Sequence, residues 1–161
     1  MFTSETYGRL ELYQIPEKLE DYYKKMKGYG STFRVIVGTD SQNFSDTKMV
    51  TVIAAYCEGH GGIYFYEISR INKIHDVRTK LHVETGESLK VAEDLLAGIE
   101  GHEDLYMDMA FSIHVDAGMN PHGKTKELIP ELVGWIKSLG YDCETKPESW
   151  VASSVADRIS K

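Results

Sequence analysis

The sequence is poor in cysteine. Its 161 residues include only two, Cys57 and Cys143, and both lie in segments with the pattern of β-strands. This favours reduced interior thiols over a disulfide framework or a zinc site. At this length we expect one domain, 1–161, with a single core that buries about 70% of the unfolded surface.

Long apolar runs are also missing. Charges interrupt every apolar stretch of the N-terminal segment MFTSETYGRLELYQIPEK, which therefore lacks both the apolar core of a signal peptide and the length of a membrane span. We expect a globular cytoplasmic protein without a membrane partner.

Positive charge is scarce, because 18 Lys and Arg residues face 25 Asp and Glu residues and give a net charge of −7. Bulk electrostatic wrapping of nucleic acid needs lysines and arginines that displace counterions, so any such contact is predicted to be local. The chain also has no GxxxxGK[ST] loop, which makes a nucleotide-hydrolysing or phosphate-transferring enzyme the weakest hypothesis. A negative net charge remains compatible with a site whose carboxylates bind cations.

The hydrophobic pattern predicts nine elements in the order α, β, β, β, α, β, α, β, α. The first helix lies in a segment, 1–30, that is predicted to be a helical extension packing on the rest. Three strands able to form a meander follow it, and then strands and helices alternate. This order predicts an α/β fold with a mixed sheet and helices packed on its faces.

Four acidic residues fall where this topology can gather them. Asp40 is predicted to end the first strand and Asp116 the fourth, so their carboxylates emerge side by side if those strands are parallel neighbours. Glu84 begins a helix whose apolar stripe faces the sheet, and Asp157 lies in the last helix. A lone aspartate at a strand end is more often a turn or cap residue, but four at consistent places favour one site. Two divalent cations about 4 Å apart, held by such oxygens, can hydrolyse a phosphodiester.

Other polar residues surround these four in the sequence. His114 shares a strand face with Asp116, where it either orients that carboxylate, contacts a phosphate, or packs against backbone. Tyr64 and Tyr66 share a strand face that either stacks bases or is half-buried in the sheet. Further candidates to support the site or bind substrate, with solvated surface residues as the alternative, are Asn120, Lys124, Lys126, Lys146 and Arg158.

Three segments carry a family resemblance: VGTDSQ at 37–42, IHVDAGMNPHGKTKELI at 113–129 and KPESWVASSVADR at 146–158. They resemble the YkuK-like family of ribonuclease H-like proteins, and the likeness covers nearly everything from Phe33 onward. The resemblance implies a ribonuclease H-like five-stranded mixed sheet with helices on both faces. It also implies an acidic active site with two Mg²⁺ or Mn²⁺ ions, in which the catalytic and metal-binding places match Asp40, Glu84, Asp116 and Asp157.

Two points stay open within that resemblance. Glu87 lies one turn beyond Glu84, and Gly86 loosens the local geometry, so either glutamate can be the helix ligand. Ribonuclease H also has a mobile histidine just before its final aspartate, whereas residues 144–156 contain none, which argues against cleavage of hybrids.

The functional expectation is a divalent-metal-dependent nuclease that hydrolyses RNA or DNA by a two-metal mechanism. The alternative is a catalytically inactive ribonuclease H-like module that binds nucleic acid or protein.

Overall fold

The computed structural model describes residues 1–117 and 126–161, without the side chains of Ala152, Ser153 and Asp157. The strands are β1 (Phe2–Ser4), β2 (Gly8–Leu10), β3 (Phe33–Asn43), β4 (Thr47–Cys57), β5 (Gly62–Ile71), β6 (Ala110–His114) and β7 (Asp142–Glu144). The α-helices are α1 (Ile15–Met26), α2 (Val77–Ile99), α3 (Glu103–Asp108), α4 (Ile129–Ser138) and α5 (Asp157–Ser160). A π-helical segment, Val151–Ala156, runs directly into α5, and the two together are called the closing helix below.

The strands form one mixed sheet in the order β2-β1-β5-β4-β3-β6-β7. β3, β4 and β5 make the expected antiparallel meander, while β6 pairs in parallel with β3 and β7 with β6. The predicted count of five strands is wrong, because seven are present in the described residues. The additional pair, β1 and β2, forms a hairpin within 1–30 that joins the sheet through Thr3 and Tyr66. Three-residue strands are too short to show an alternating pattern in the sequence.

Helices cover both faces of the sheet, as expected. One side, called the core face, packs against α1, α2 and α4 and buries Val35 and Val37 of β3 together with Leu95 of α2. The opposite side, called the closing face, buries Ile36 of β3 against Val151 of the closing helix. Successive residues of β3 alternate between these two sides, as the strand period requires.

The long helix α2 is fixed to the sheet near the candidate carboxylates. At its start, the Asp76 carboxylate accepts a hydrogen bond of 2.8 Å from the Thr79 backbone amide, which caps the first turn. Three turns later the Ser88 and Thr39 hydroxyls lie 2.7 Å apart, a buried hydrogen bond between α2 and β3. These two points set the height of Glu84 above the sheet.

Both cysteines are free thiols. Cys57 is a buried free thiol and Cys143 a half-buried one. None of the helices in the described ranges has the length and apolar character of a membrane span.

Candidate carboxylate site

The register of β3 and β6 brings Asp40 and Asp116 to the same level. The last parallel pair joins Gly38 to His114, so Asp40 and Asp116 each follow it by two residues and project from the closing face. The prediction that Asp40 ends its strand is wrong, because β3 continues to Asn43 by pairing with β4. What ends before Asp40 is the parallel pairing with β6. A crevice between two parallel strands opens at such a point.

The Asp40 carboxyl is almost fully buried, with 2% of the residue exposed. It lies within hydrogen-bonding reach of the Asp116 carboxyl, and burial followed by the negative charge of Asp116 raises its pKa well above the ordinary 3.8. The Ser160 hydroxyl of α5 donates a 3.0 Å hydrogen bond to Asp40 Oδ2 and opposes part of that shift. Two buried carboxyls this close together favour the binding of a proton or a cation.

Glu84 approaches these carboxyls from α2. It is 3% exposed, and burial raises its pKa to about 8, with the charges of Asp40 and Asp116 acting in the same direction. Two groups counteract the shift: Lys80 Nζ lies 3.7 Å from Glu84 Oε1, and the Ser41 hydroxyl donates a 2.7 Å hydrogen bond to it. The favourable contacts do not outweigh the cost of burying the charge.

The two candidate helix glutamates differ in their surroundings. Glu84 is buried against β3, whereas Glu87 is half-buried one turn along the same helix. The charges of Asp40 and Asp116 act on the Glu84 carboxyl and raise its pKa, and the role of helix ligand is assigned below as a proposal.

Asp116 carries the least satisfied oxygen of the site. Lys146 Nζ lies 3.0 Å from Asp116 Oδ1, yet within the described residues this buried oxygen accepts no hydrogen bond of acceptable geometry. A carboxylate oxygen has two acceptor sites, and one ion pair occupies at most one of them. The oxygen therefore has capacity left for a further positive partner.

His114 supports the backbone beside the site. It is 3% exposed, and its Nδ1 accepts a 3.3 Å hydrogen bond from the Val151 amide at the start of the closing helix. Burial lowers the pKa of His114 to about 4, so the ring is neutral at pH 7. Its Nδ1 is then the acceptor and its Nε2 carries the proton.

The donor set of the site matches a hard divalent cation. The three neighbouring carboxyls of Asp40, Glu84 and Asp116 supply only oxygen ligands, and Asp116 Oδ1 has no hydrogen-bond partner among the described residues besides its ion pair with Lys146. Among the described side chains, which do not include that of Asp157, no three His, Cys, Asp or Glu groups already surround one point closely enough to hold a metal. The chemistry of Asp40, Glu84 and Asp116 thus fits the ion, although these three side chains do not by themselves form a ligand shell.

The remaining predicted residues are placed differently. Asp157 begins α5, one helical turn before Ser160, and its side chain is not described. Arg158 is exposed and lies near Tyr64 on the closing face, while Lys126 is exposed shortly before α4. Asn120 and Lys124 lie outside the described residues. Their functional roles stay predictions.

Sequence reasoning missed three contacts of the site. Lys80 precedes Glu84 by four residues on α2, a spacing at which opposite charges meet, so this signal was present. Ser41 follows Asp40 on the strand and therefore points to the core face, where Glu84 arrives. Ser160 carries no comparable signal, because its contact with Asp40 spans 120 residues.

Comparison with known proteins gives three similarities. The profile of the ribonuclease H-like family matches residues 14–161. "Uncharacterized protein YkuK" of Bacillus subtilis (strain 168) is 30% identical over 171 residues, which cover 100% of this chain and 97% of that protein. The solved "Structure of Mos1 transposase catalytic domain and Raltegravir with Mg" aligns with 12% identity and a TM-score of 0.29, over 82% of this chain and 58% of that one. A superposition this loose supports no conclusion about this chain.

Proposed function

This chain belongs to the ribonuclease H-like family, and from that premise we propose that it is a divalent-metal-dependent nuclease. It would hydrolyse phosphodiester bonds of RNA or DNA at a local site by a two-metal mechanism. The observation that supports this most is the gathering of Asp40, Glu84 and Asp116 at the crevice where β3 and β6 part.

The electrostatics of this cluster argue for a cation. Buried carboxylates whose charge is only partly compensated take up protons, and the raised pKa values of Asp40 and Glu84 reflect this despite the nearby Lys80. A fold that needed these positions only for stability would be better served by apolar or amide side chains. Carboxyls kept together in this way suit a ligand set for Mg²⁺ or Mn²⁺.

In the proposed mechanism, Asp40 and Asp116 would be the central ligands, and Glu84 and Asp157 would each complete the shell of one ion. When bound, the ions supply an activated water and stabilise charge on the departing 3′ oxygen. No covalent enzyme intermediate is needed.

The other residues of the site orient and neutralise these carboxylates. The hydroxyls of Ser160 and Ser41 hold the carboxylates of Asp40 and Glu84 in place. Lys80 lies beside Glu84, and Lys146, now paired with Asp116, is placed to contact a substrate phosphate once Asp116 has another partner.

The substitution Asp40→Asn tests the proposal. It removes one ligand charge from the centre of the site, so Mn²⁺-dependent cleavage of RNA and DNA should fall by about 1000-fold or more. Circular dichroism should show an intact fold, because the substitution replaces a buried carboxyl by a neutral amide and so removes the cost of burying a charge. The matched control is Asp94→Asn on the exposed surface of α2, which should retain activity. Equal cleavage by Asp40→Asn and the unmodified protein would rule out the mechanism.

A second candidate is a binding module without turnover. It is favoured by the lack of a preassembled three-residue metal group in the described part of the chain and by the ion pair that already engages Asp116. Such a module need not take up two divalent ions, and neutralising its acidic residues would leave nucleic-acid or protein binding intact. Titration with Mn²⁺, followed on the native protein and on Asp40→Asn, separates the two functions.

A further inference from the structure

A cleft of about 470 Å³ lies on the closing face beside the carboxylates. His114 lines both this cleft and the narrow crevice that contains Glu84 and Asp116. Most of the crevice lining, such as Thr39 and Ser88, belongs to the core face under α2, so the two spaces meet at His114 from opposite sides of the sheet. The cleft residues used below are Arg34, Tyr56, Asp142, Glu144, Glu148 and Trp150.

The strand register sets the distance from the carboxylates to the cleft. On β6 the closing face presents Ser112, then His114, then Asp116 just past the strand, and each two-residue step advances about 6.6 Å. Gly38, paired with His114, adds no side chain to this face. The cleft thus begins about one such step from Asp116. If a phosphate is bound at the carboxylates, a group attached to that phosphate can reach the cleft.

One wall of the cleft is an aromatic ring that is both fixed and accessible. The Trp150 ring makes edge contacts with Tyr56 and His114, with centroid distances of 5.4 and 6.1 Å. It nevertheless remains 38% exposed. A held, solvent-accessible indole provides the stacking platform that proteins use for unpaired bases.

The charged groups of the cleft discriminate between parts of a nucleotide. Asp142, Glu144 and Glu148 are exposed carboxylates, whereas Arg34 is engaged by Glu58 at 2.8 Å. One exposed cation, Lys137, also lines the cleft, but the acidic side chains outnumber the basic ones. The net negative lining disfavours phosphates, whereas carboxylates accept hydrogen bonds from the amino groups of bases. In a duplex the Watson–Crick edges that carry these groups are paired and cannot enter.

We propose that this cleft binds an unpaired base of the substrate, next to the phosphate at the carboxylates, with Trp150 as the stacking partner. The substrate class is then single-stranded nucleic acid or an unpaired region of a longer one. This inference rests on the proposed nuclease function for the phosphate and on the cleft itself for the base.

A fluorescence titration tests the base site directly. The chain has two tryptophans, and Trp135 on α4 is 37% exposed, so it matches Trp150 closely. In Trp135→Phe, where Trp150 alone reports, a single-stranded oligonucleotide in Ca²⁺ buffer should quench the emission. A strand of abasic residues and a duplex of the same length should quench it far less. In Trp150→Phe, where Trp135 reports, no strand should have an effect. Equal quenching by the abasic strand, or equal responses of both tryptophans, would overturn the base site.

Kinetics separate the base site from the nuclease proposal. With Mn²⁺, Trp150→Ala should raise the KM for a single strand about tenfold and change kcat less, since one stacked base contributes about that much. Trp135→Ala should change neither constant. If strands are cleaved and both variants behave alike, the base site is wrong while the nuclease stands. If the unmodified protein cleaves no strand, the nuclease proposal fails, and the quenching experiment still decides the base site.

Discussion

The two faces of the sheet differ in what they bury. The core face joins residues of α1, α2, α3 and α4 with alternate strand residues in one large apolar cluster. On the closing face a smaller cluster forms under the closing helix, with half-buried tyrosines such as Tyr56 and Tyr64 at its margin. Asp40 and Asp116 project from that second face, and Glu84 reaches them from α2. Most of the apolar core thus lies on the core face, whereas Asp40 and Asp116 of the proposed site lie on the closing face. Glu84, which comes from α2, links the two.

The largest expected effect comes from truncating one side chain on each face. Leu95→Ala removes a fully buried residue of the core face and should lower the free energy of unfolding by about 2–5 kcal/mol. Ile159→Ala, on the half-buried edge of the closing face, should cost about 1 kcal/mol. For Mn²⁺-dependent cleavage we expect the opposite: Ile159→Ala should lower the activity more than Leu95→Ala, because Ile159 adjoins Ser160. Urea unfolding and activity measured on the same preparations check this, and equal stability losses would contradict the division.

The next effect concerns the pH dependence of stability without metal. The pKa values of Glu84, about 8, and of Asp40 are raised in the folded protein, so between about pH 4 and pH 8 the folded state keeps protons that the unfolded state has released. The free energy of unfolding should therefore fall as the pH rises through this window, by on the order of a few kcal/mol. Chemical denaturation in EDTA at several pH values measures the slope.

Two comparisons locate the source of that slope. Glu84→Gln should flatten it, and an excess of Mg²⁺ should stabilise the native protein most at the upper end of the window, where the carboxylates are ionised. A slope unchanged in Glu84→Gln would assign the titration to other groups.

A smaller effect is expected from the hydroxyl that reaches Asp40. Ser160→Ala removes the hydrogen bond to Asp40 Oδ2, so the carboxylate is less well oriented and the affinity for Mn²⁺ should fall about tenfold. Ser154, exposed in the closing helix, offers a matched control as Ser154→Ala. Calorimetric titration compares the two, and equal affinities would show that Ser160 has no part in orienting the site.

The sequence predicted the fold best where strands and helices are long enough to show a repeated hydrophobic pattern. The meander and the strand–helix alternation were predictable because their elements are long enough to show a period. The hairpin of β1 and β2 was not, since its strands form by pairing with each other and, through β1, with β5, and their own residues show no strand pattern.

At the site, the acidic residues were predictable and the details of their surroundings were not. Asp40 and Asp116 could be proposed from their positions after buried strand residues, although the continuation of β3 to Asn43 reflects pairing with β4 that local composition does not reveal. The contact of Ser160 with Asp40 depends on how the closing helix packs across the sheet. Such contacts join distant parts of the chain and leave no local signal.

The measurement that tests the central claim most directly is anomalous diffraction from a crystal of the native protein soaked in Mn²⁺. The account predicts anomalous peaks at coordinating distance, about 2 Å, from carboxylate oxygens of Asp40 and Asp116, and their loss in Asp40→Asn. Peaks confined to surface carboxylates, with the crevice between β3 and β6 still closed by protonated side chains, would contradict it.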